Sequence, residues 1–286
     1  MTTETSNILS DQNKFLELRP GLFRSTFILS FGPIALPIAT FLIRGNPIPN
    51  SNTSASTDDD GKNKNDNQAY EWIMIDAGAP PHASEILCAI ETVLSHPQDT
   101  LKYICITHAH FDHTGATLLI LERYKECKVV GHYLEKPFLC EGKELKSCAG
   151  DTWVFNVMKY FLLDSKVQIP EEKVVFVREG EAWEYGELIK VVETHGHTPG
   201  SISFIHVPSR SIMIGDASKN HAFFSKQSCL SYPLSSTYQM GTAIRSMDKI
   251  ISLKGQVDTI FPGHDFSKEG IAVAEMMAFR AENPRS

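Results

Sequence analysis

At 286 residues and 42% hydrophobic content, the chain is long enough to bury one large two-layer core, and its make-up is ordinary for a globular protein. A net charge of −7 and a pI near 5.9 argue against a nucleic-acid groove, which carries a basic footprint. The six cysteines show no close-paired spacing, which points to a reducing, cytoplasmic setting.

The N-terminus lacks the basic-then-apolar run of a signal sequence. Residues 27–43 are apolar but barely long enough to span a bilayer, and Gly32, Pro33 and Pro37 interrupt them. They read as an early strand pair whose Gly-Pro turn overhangs a pocket, with no membrane partner expected. Residues 46–67 are rich in Asn, Ser, Thr, Asp and Gly, too polar to offset the entropy of ordering them. They are expected to form a flexible insertion between strands at 39–44 and 72–76. The Asp58-Asp59-Asp60 run inside it lacks the spacing of a calcium loop.

Helix-like apolar spacing follows at 84–95 and 115–125, with a buried strand at 101–107 and a short one at 128–131. Cys88 and Cys105 lie in these apolar runs and read as core thiols. Residues 132–180 make a longer connection than a strand exchange needs. Inside it Trp153, Phe155, Met158, Tyr160, Phe161 and Leu162 form an aromatic stretch, either a helix packed on the outside or a lid over a hydrophobic pocket. No repeat of fixed period occurs, and residues 1–286 are expected to form one domain.

The densest chemistry is His108-Ala109-His110-Phe111-Asp112-His113, on a strand-to-helix loop where active-site groups are commonly displayed. His108 and His110, two apart, can face the same side of an extended segment. Asp112 and His113 follow where the chain turns, which suits two metal ions a few ångströms apart better than one. Three further groups stand at the ends of apolar runs: His197 in His-Thr-Pro-Gly-Ser, Asp216 after Gly215, and His264 after Gly263. Taken singly these are a turn His, a strand-end Asp and a loop His. Their joint occurrence in this order is what carries weight.

That ordered set resembles the successive motifs of the metallo-β-lactamase superfamily, and Ile75-Asp76-Ala77-Gly78 resembles its Asp-x-Gly motif. The resemblance covers nearly the whole chain after about residue 15. It implies an α/β fold of the αββα type, two mixed sheets face to face with helices outside and metals in a cleft at one sheet edge. By position it implies that His108, His110 and His197 hold one metal and that Asp112, His113 and His264 hold the other. Asp216 then bridges both. Asp76 reads as a hydrogen-bond partner of a ligand histidine or as a turn-stabilising Asp.

Five imidazoles and two carboxylates suit Zn2+, although iron, manganese or cobalt could occupy a similar site. Two divalent ions, two aspartates and a bridging hydroxide sum to about +1, a good environment for an oxyanion. Metal binding lowers the pKa of water from about 15.7 to roughly 7, so hydroxide attack on an ester-like carbonyl is the natural reaction class. Asp112 could then also carry the proton from nucleophile to leaving group.

Departures select among the activities that the resemblance implies. Zinc β-lactamases carry Cys where this chain has Asp216, and flavodiiron-type relatives carry Glu where it has His110. Glyoxalase II-type thioesterases share the ligand set but add a basic C-terminal helical region, whereas only residues 265–286, read as one helix, follow His264. Persulfide dioxygenases keep much of the motif around a single iron. N-acyl homoserine lactone lactonases match best, although they often place Tyr where this chain has Lys219. Lys219 could contact a substrate oxygen as a point charge, or be a solvated surface Lys. His195 stands where the motif usually has a small residue or Pro, and reads as a structural His ahead of a pocket-lining one. The expectation is a lactonase acting on a small, moderately hydrophobic lactone, with a homodimer as the assembly to test. The alternatives are a thioesterase, a cyclic amide or phosphoester hydrolase, or an iron-dependent persulfide dioxygenase.

Overall fold

In the computed structural model, which describes residues 13–31, 34–49, 68–143, 167–221, 228–233 and 238–285, the apolar runs pair into two mixed sheets. The first has seven strands in chain order: β1 (Leu16–Arg19), β2 (Leu22–Phe31), β3 (Ile34–Pro47), β4 (Tyr70–Ile75), β5 (Thr100–Cys105), β6 (Lys128–His132) and β7 (Val174–Val177). β1 to β4 are antiparallel. β4 to β7 are parallel, and parallel neighbours need crossovers. Helix α1 (Ala83–Val93) supplies one crossover, and the short α2 (Phe111–Thr114) with α3 (Thr117–Arg123) supplies the next.

Period-two alternation splits β4 between two cores. Trp72 and Met74 pack with Ile86 and Ile90 of α1 and Ile120 of α3. Ile73 and Ile75 face the second sheet through Val191, Phe204, Met213 and Phe261. That second sheet runs β14 (Ile271–Ala272), β13 (Thr259–Pro262), β10 (Ser211–Gly215), β9 (Ile202–His206), β8 (Ile189–Glu193). β10 and β13 are parallel and the other pairs antiparallel. Its outer face, with Ile205, Ile212 and Ile260, is covered by Ile244, Met247 and Ile250 of α5 (Met240–Ser252) and Met276 of α6 (Val273–Glu282). The layers are therefore helix, sheet, sheet, helix. Burial on both faces is why these strands read as continuous apolar runs.

The apolar stretch at 27–43 is the β2–β3 hairpin, in register from Leu22 opposite Ile43 to Phe31 opposite Ile34. Among the described residues, no helix is long and apolar enough to cross a membrane. β3 and β4 are antiparallel neighbours, and the Ile48 amide donates to the Ala69 carbonyl at 2.8 Å where they part. The insertion expected between them falls mostly at 50–67, outside the described residues. The same holds for the aromatic stretch from 153 to 162. Of the 132–180 connection, the described parts are the 3-10 turn Tyr133–Glu135, helix α4 (Lys136–Leu139), a second 3-10 turn at Glu171–Lys173 and β7, which joins the sheet beside β6.

Two expectations need correction. Cys88 is exposed, because α1 turns Ile86, Ala89 and Ile90 inward and leaves Cys88 on the outer face, whereas Cys105 is buried as expected. The segment after His264 is not one helix: the edge strand β14 pairs with β13 before α6 begins. The turn between them is tied down by buried Asp265, which accepts from the Asn220 amide and the Ser267 backbone and pairs with Arg24 at 3.4 Å.

Candidate metal centre

Several strand ends deliver side chains to one edge of the sandwich. The loop after β5 carries His108 and His110, and α2 carries Asp112 and His113. The β8–β9 loop carries His197, while Asp216 and His264 follow β10 and β13 directly or within two residues. His108 Nε2 lies 2.9 Å from His110 Nδ1, which lies 3.0 Å from His197 Nε2. His264 Nε2 is 3.3 Å from Asp112 Oδ2. Asp216 stands between the two groups: Oδ2 is 3.3 Å from His197 Nε2 and 3.2 Å from His264 Nε2, and Oδ1 is 3.3 Å from His113 Nε2. Ligand atoms on a tetrahedral zinc with bonds of 2.0–2.2 Å stand roughly 3.3–3.6 Å apart. The seven side chains expected at the centre are thus brought together. His108, His110, His197 and Asp216 could hold one ion, and Asp112, His113 and His264 another.

The histidines are aimed by partners on their far nitrogens. His113 Nδ1 donates to Asp76 Oδ2 at 2.7 Å, and His264 Nδ1 donates to the Pro37 carbonyl of β3 at 2.8 Å. Both acceptors place the proton on Nδ1 and leave the Nε2 lone pair facing inward, the arrangement that a metal ligand needs. Asp76 also accepts from the Thr107 amide and hydroxyl, both at 2.8 Å, so it serves the turn and the histidine together.

The electrostatics favour a cation. Burial opposes charge on both aspartates, yet the neighbouring imidazoles hold Asp112 at a pKa of about 2 and Asp216 well below its usual range. Burial drives His108 far down and His197 to about 3. Burial also lowers His113 and His264, but the aspartates overcome it, pushing His113 well up and His264 to about 10. A field strong enough to hold protons on those imidazoles is equally one that holds a metal cation. His113 Nε2 and Asp216 Oδ1 are buried and meet only each other, 3.3 Å apart and out of hydrogen-bond geometry, and coordination would satisfy both better. The glycines beside the centre are sterically required. A Cβ on Gly263 would meet His113 Cε1 at 2.7 Å, and one on Gly215, at φ +49, would meet Thr107 Oγ1 at 2.5 Å.

Glu135 was not anticipated from the sequence. Its carboxylate is 1% exposed and accepts from the Ala109 amide at 2.9 Å, the Gly200 amide at 2.7 Å and the Thr198 hydroxyl at 2.8 Å. It therefore clamps the loop of His108 and His110 to the loop of His197. Glu135→Gln would set an amide N–H2 against at least one of these donors. Metal affinity should fall by roughly 10–100-fold, as for other groups that orient ligands, while the metal-free fold persists. Competition against a chelator measures this, and an unchanged affinity would remove Glu135 from the role. Lys219 lies on β11 (Lys219–Asn220), paired with β12 (Leu230–Ser231), and is half-buried, which lowers its pKa while Asp216 raises it. His221, also not anticipated, is buried with its ring 5.6 Å from that of His264. His195 is turned to Glu193, 3.4 Å away.

Comparison with known proteins agrees with this geometry. A probable metallo-hydrolase of Bacillus subtilis is 27% identical over 219 residues, covering 71% of this chain and 78% of the relative. A probable metallo-hydrolase of Methanocaldococcus jannaschii is 31% identical over 166 residues, covering 57% and 69%. Among solved structures, an archaeal metallo-β-lactamase superfamily protein from Sulfolobus tokodaii has a TM-score of 0.52 at 18% identity, covering 86% of this chain and 79% of that one. A metallo-β-lactamase from Pontibacter korlensis has a TM-score of 0.58 at 13% identity, covering 94% and 99%, so these likenesses speak to fold alone. The profile of the metallo-β-lactamase superfamily matches residues 70–264. Because that stretch opens on β4 and closes on His264, it takes in every side chain of the centre, and the chain belongs to the metallo-β-lactamase superfamily.

Proposed function

We propose that the chain is a dinuclear metal-dependent hydrolase that opens a lactone or related cyclic ester of moderately hydrophobic character. The observation that carries the reading is Asp216, whose two oxygens reach imidazoles of both ligand groups at 3.2–3.3 Å. His108, His110 and His197 would hold one ion and Asp112, His113 and His264 the other, with Asp216 shared and zinc the ion that best suits these donors. Bound there, two divalent ions would supply Lewis acidity and a lowered water pKa of roughly 7. Relatives named as probable metallo-hydrolases are in keeping with this.

The remaining chemistry falls to the chain's own groups. Asp112 stays ionised at neutral pH, so one oxygen can serve the metal while the other takes a proton. That free oxygen would then pass the proton on to the leaving alkoxide. Lys219, three residues after Asp216, would steady the substrate's carbonyl or carboxylate oxygen. Phe111, next to His110 and Asp112 in the chain and backed by the buried Leu29, Leu36, Ile38 and Ala79, would give an apolar substrate tail a wall beside the centre.

A panel of lactones, thioesters and phosphodiesters offered to zinc-loaded protein tests the reading. Lactones should show the highest kcat/KM. Faster thioester or phosphodiester turnover would move the chain to that hydrolase class. One tightly held iron with oxygen consumption on a persulfide would replace hydrolysis altogether.

A further inference from the structure

Outside the seven-residue centre, a second set of metal-capable side chains spans the two sheets. His132 ends β6 of the first sheet, Glu193 ends β8 of the second, and His195 follows two residues later. His132 Nε2 lies 3.2 Å from Glu193 Oε1, and His195 Nε2 lies 3.4 Å from Glu193 Oε2. The two imidazole rings stand 4.8 Å apart, and the ligand atoms of all three side chains lie within 4.8 Å of one another. The spacing inside the central group is similar: ring separations of 4.6, 4.7 and 4.8 Å among His108, His110 and His197, and carboxylate-to-imidazole approaches of 3.2–3.3 Å.

We propose that His132, Glu193 and His195 form a third, peripheral site for a borderline divalent ion of the zinc class. Two imidazoles and one carboxylate suit zinc or cobalt and disfavour calcium and magnesium, which require mostly oxygen donors. The site is reachable, since Glu193 is 31% and His195 27% exposed at the side chain. It is also held in place. Ser246 Oγ donates to the His195 carbonyl at 2.6 Å, Lys249 Nζ donates to the Glu193 carbonyl at 2.9 Å, and Glu179 accepts the Glu193 amide at 2.8 Å. These contacts set the ligands' backbone before any ion arrives, which lowers the entropy cost of binding.

Three features make this site weaker than the central pair. It has three protein ligands, it is open to water, and Lys249 and Arg178 add positive charge near Glu193 and His132. In addition, the Leu134 amide donates to His132 Nδ1 at 3.3 Å. An imidazole that ligates through Nε2 carries its proton on Nδ1, so this long hydrogen bond is given up when the ion binds. An ion here ties the end of β6 to the loop that carries His197, joining the two sheets beside the centre.

Equilibrium dialysis of the full chain against zinc alone tests the proposal. Wild type should take up one more zinc per chain, at higher free zinc, than the number held by the central residues. His195→Gln, which preserves side-chain volume, and Glu193→Gln should each lose that last equivalent and keep the tighter ones. Wild type that stops at its tight equivalents overturns the site, with His132 and His195 then simply donating to Glu193. Both variants retaining the last ion overturns it too, because the ion then lies elsewhere on the surface. The readout is the difference between wild type and these variants, so it holds whatever the central stoichiometry and substrate prove to be.

Discussion

Replacing His264 by Ala should strip the metal from the Asp112–His113–His264 group and reduce turnover by at least about 100-fold, as expected when charge stabilisation at a reacting centre is lost. His264 Nε2 approaches both Asp112 and Asp216, at 3.3 and 3.2 Å, while its Nδ1 is committed to the Pro37 carbonyl, so no other side chain occupies its position. Without it, two ionised carboxylates remain buried with fewer partners, and the vacated volume offers no donor. His108→Ala should act on the other group, since His108 Nε2 meets His110 Nδ1 at 2.9 Å and that nitrogen meets His197. Each variant should keep the opposite site partly occupied, because the groups are separate apart from Asp216, which approaches imidazoles of both. Metal content per chain, measured beside turnover, separates the outcomes. Full activity and undiminished metal in both variants would mean that the ligand assignment is wrong.

The centre was legible in the sequence because metal chemistry restricts residue type and spacing together. His108 and His110 converge because they are two apart after a strand, and Asp112 and His113 turn with α2. Glycine at 215 and 263 fits the same restriction, because a Cβ at either would press on Thr107 or His113. The strands were legible because both faces of each sheet are covered, which leaves long apolar runs. Cys88 was misread because its neighbours are apolar, although the 3.6-residue period of α1 turns it outward. Glu135 left no local sign. Its donors lie 26, 63 and 65 residues away, so only the folded chain shows that a lone Glu after β6 is a buried clamp. His195 could be read as structural or pocket-lining, and its neighbours Glu193 and His132 were not foreseen, because His132 opens the long 132–180 connection, 63 positions earlier in the chain.

Asp112 and Lys219 test the mechanism beyond the fold. Asp112→Asn preserves the shape of the side chain and can still offer its carbonyl oxygen, but it removes the negative charge and the basic oxygen. Asp112 is ionised at neutral pH, so the substitution changes its state at every pH where the enzyme would work. If Asp112 relays the proton, kcat should fall by roughly 10²–10⁴-fold, the usual contribution of a positioned acid-base group. Metal content decides how to interpret a larger fall, because loss of one ion would mean that Asp112 acted as ligand as well as relay. Lys219→Met keeps much of the aliphatic stem and deletes the charge. Since Lys219 is half-buried on β11, the apolar replacement should not unfold that edge. If the ammonium steadies the substrate oxygen in the transition state alone, kcat and kcat/KM should fall together with metal content unchanged. If it binds ground state and transition state equally, KM should rise alone. Unaltered kinetics would remove Lys219 from the substrate site and leave the lactonase reading without its polar substrate contact. Undiminished turnover of Asp112→Asn with both metals bound would be the graver result, because Asp216, the other carboxylate at that group, is committed to bridging both groups, and the relay would have to be abandoned.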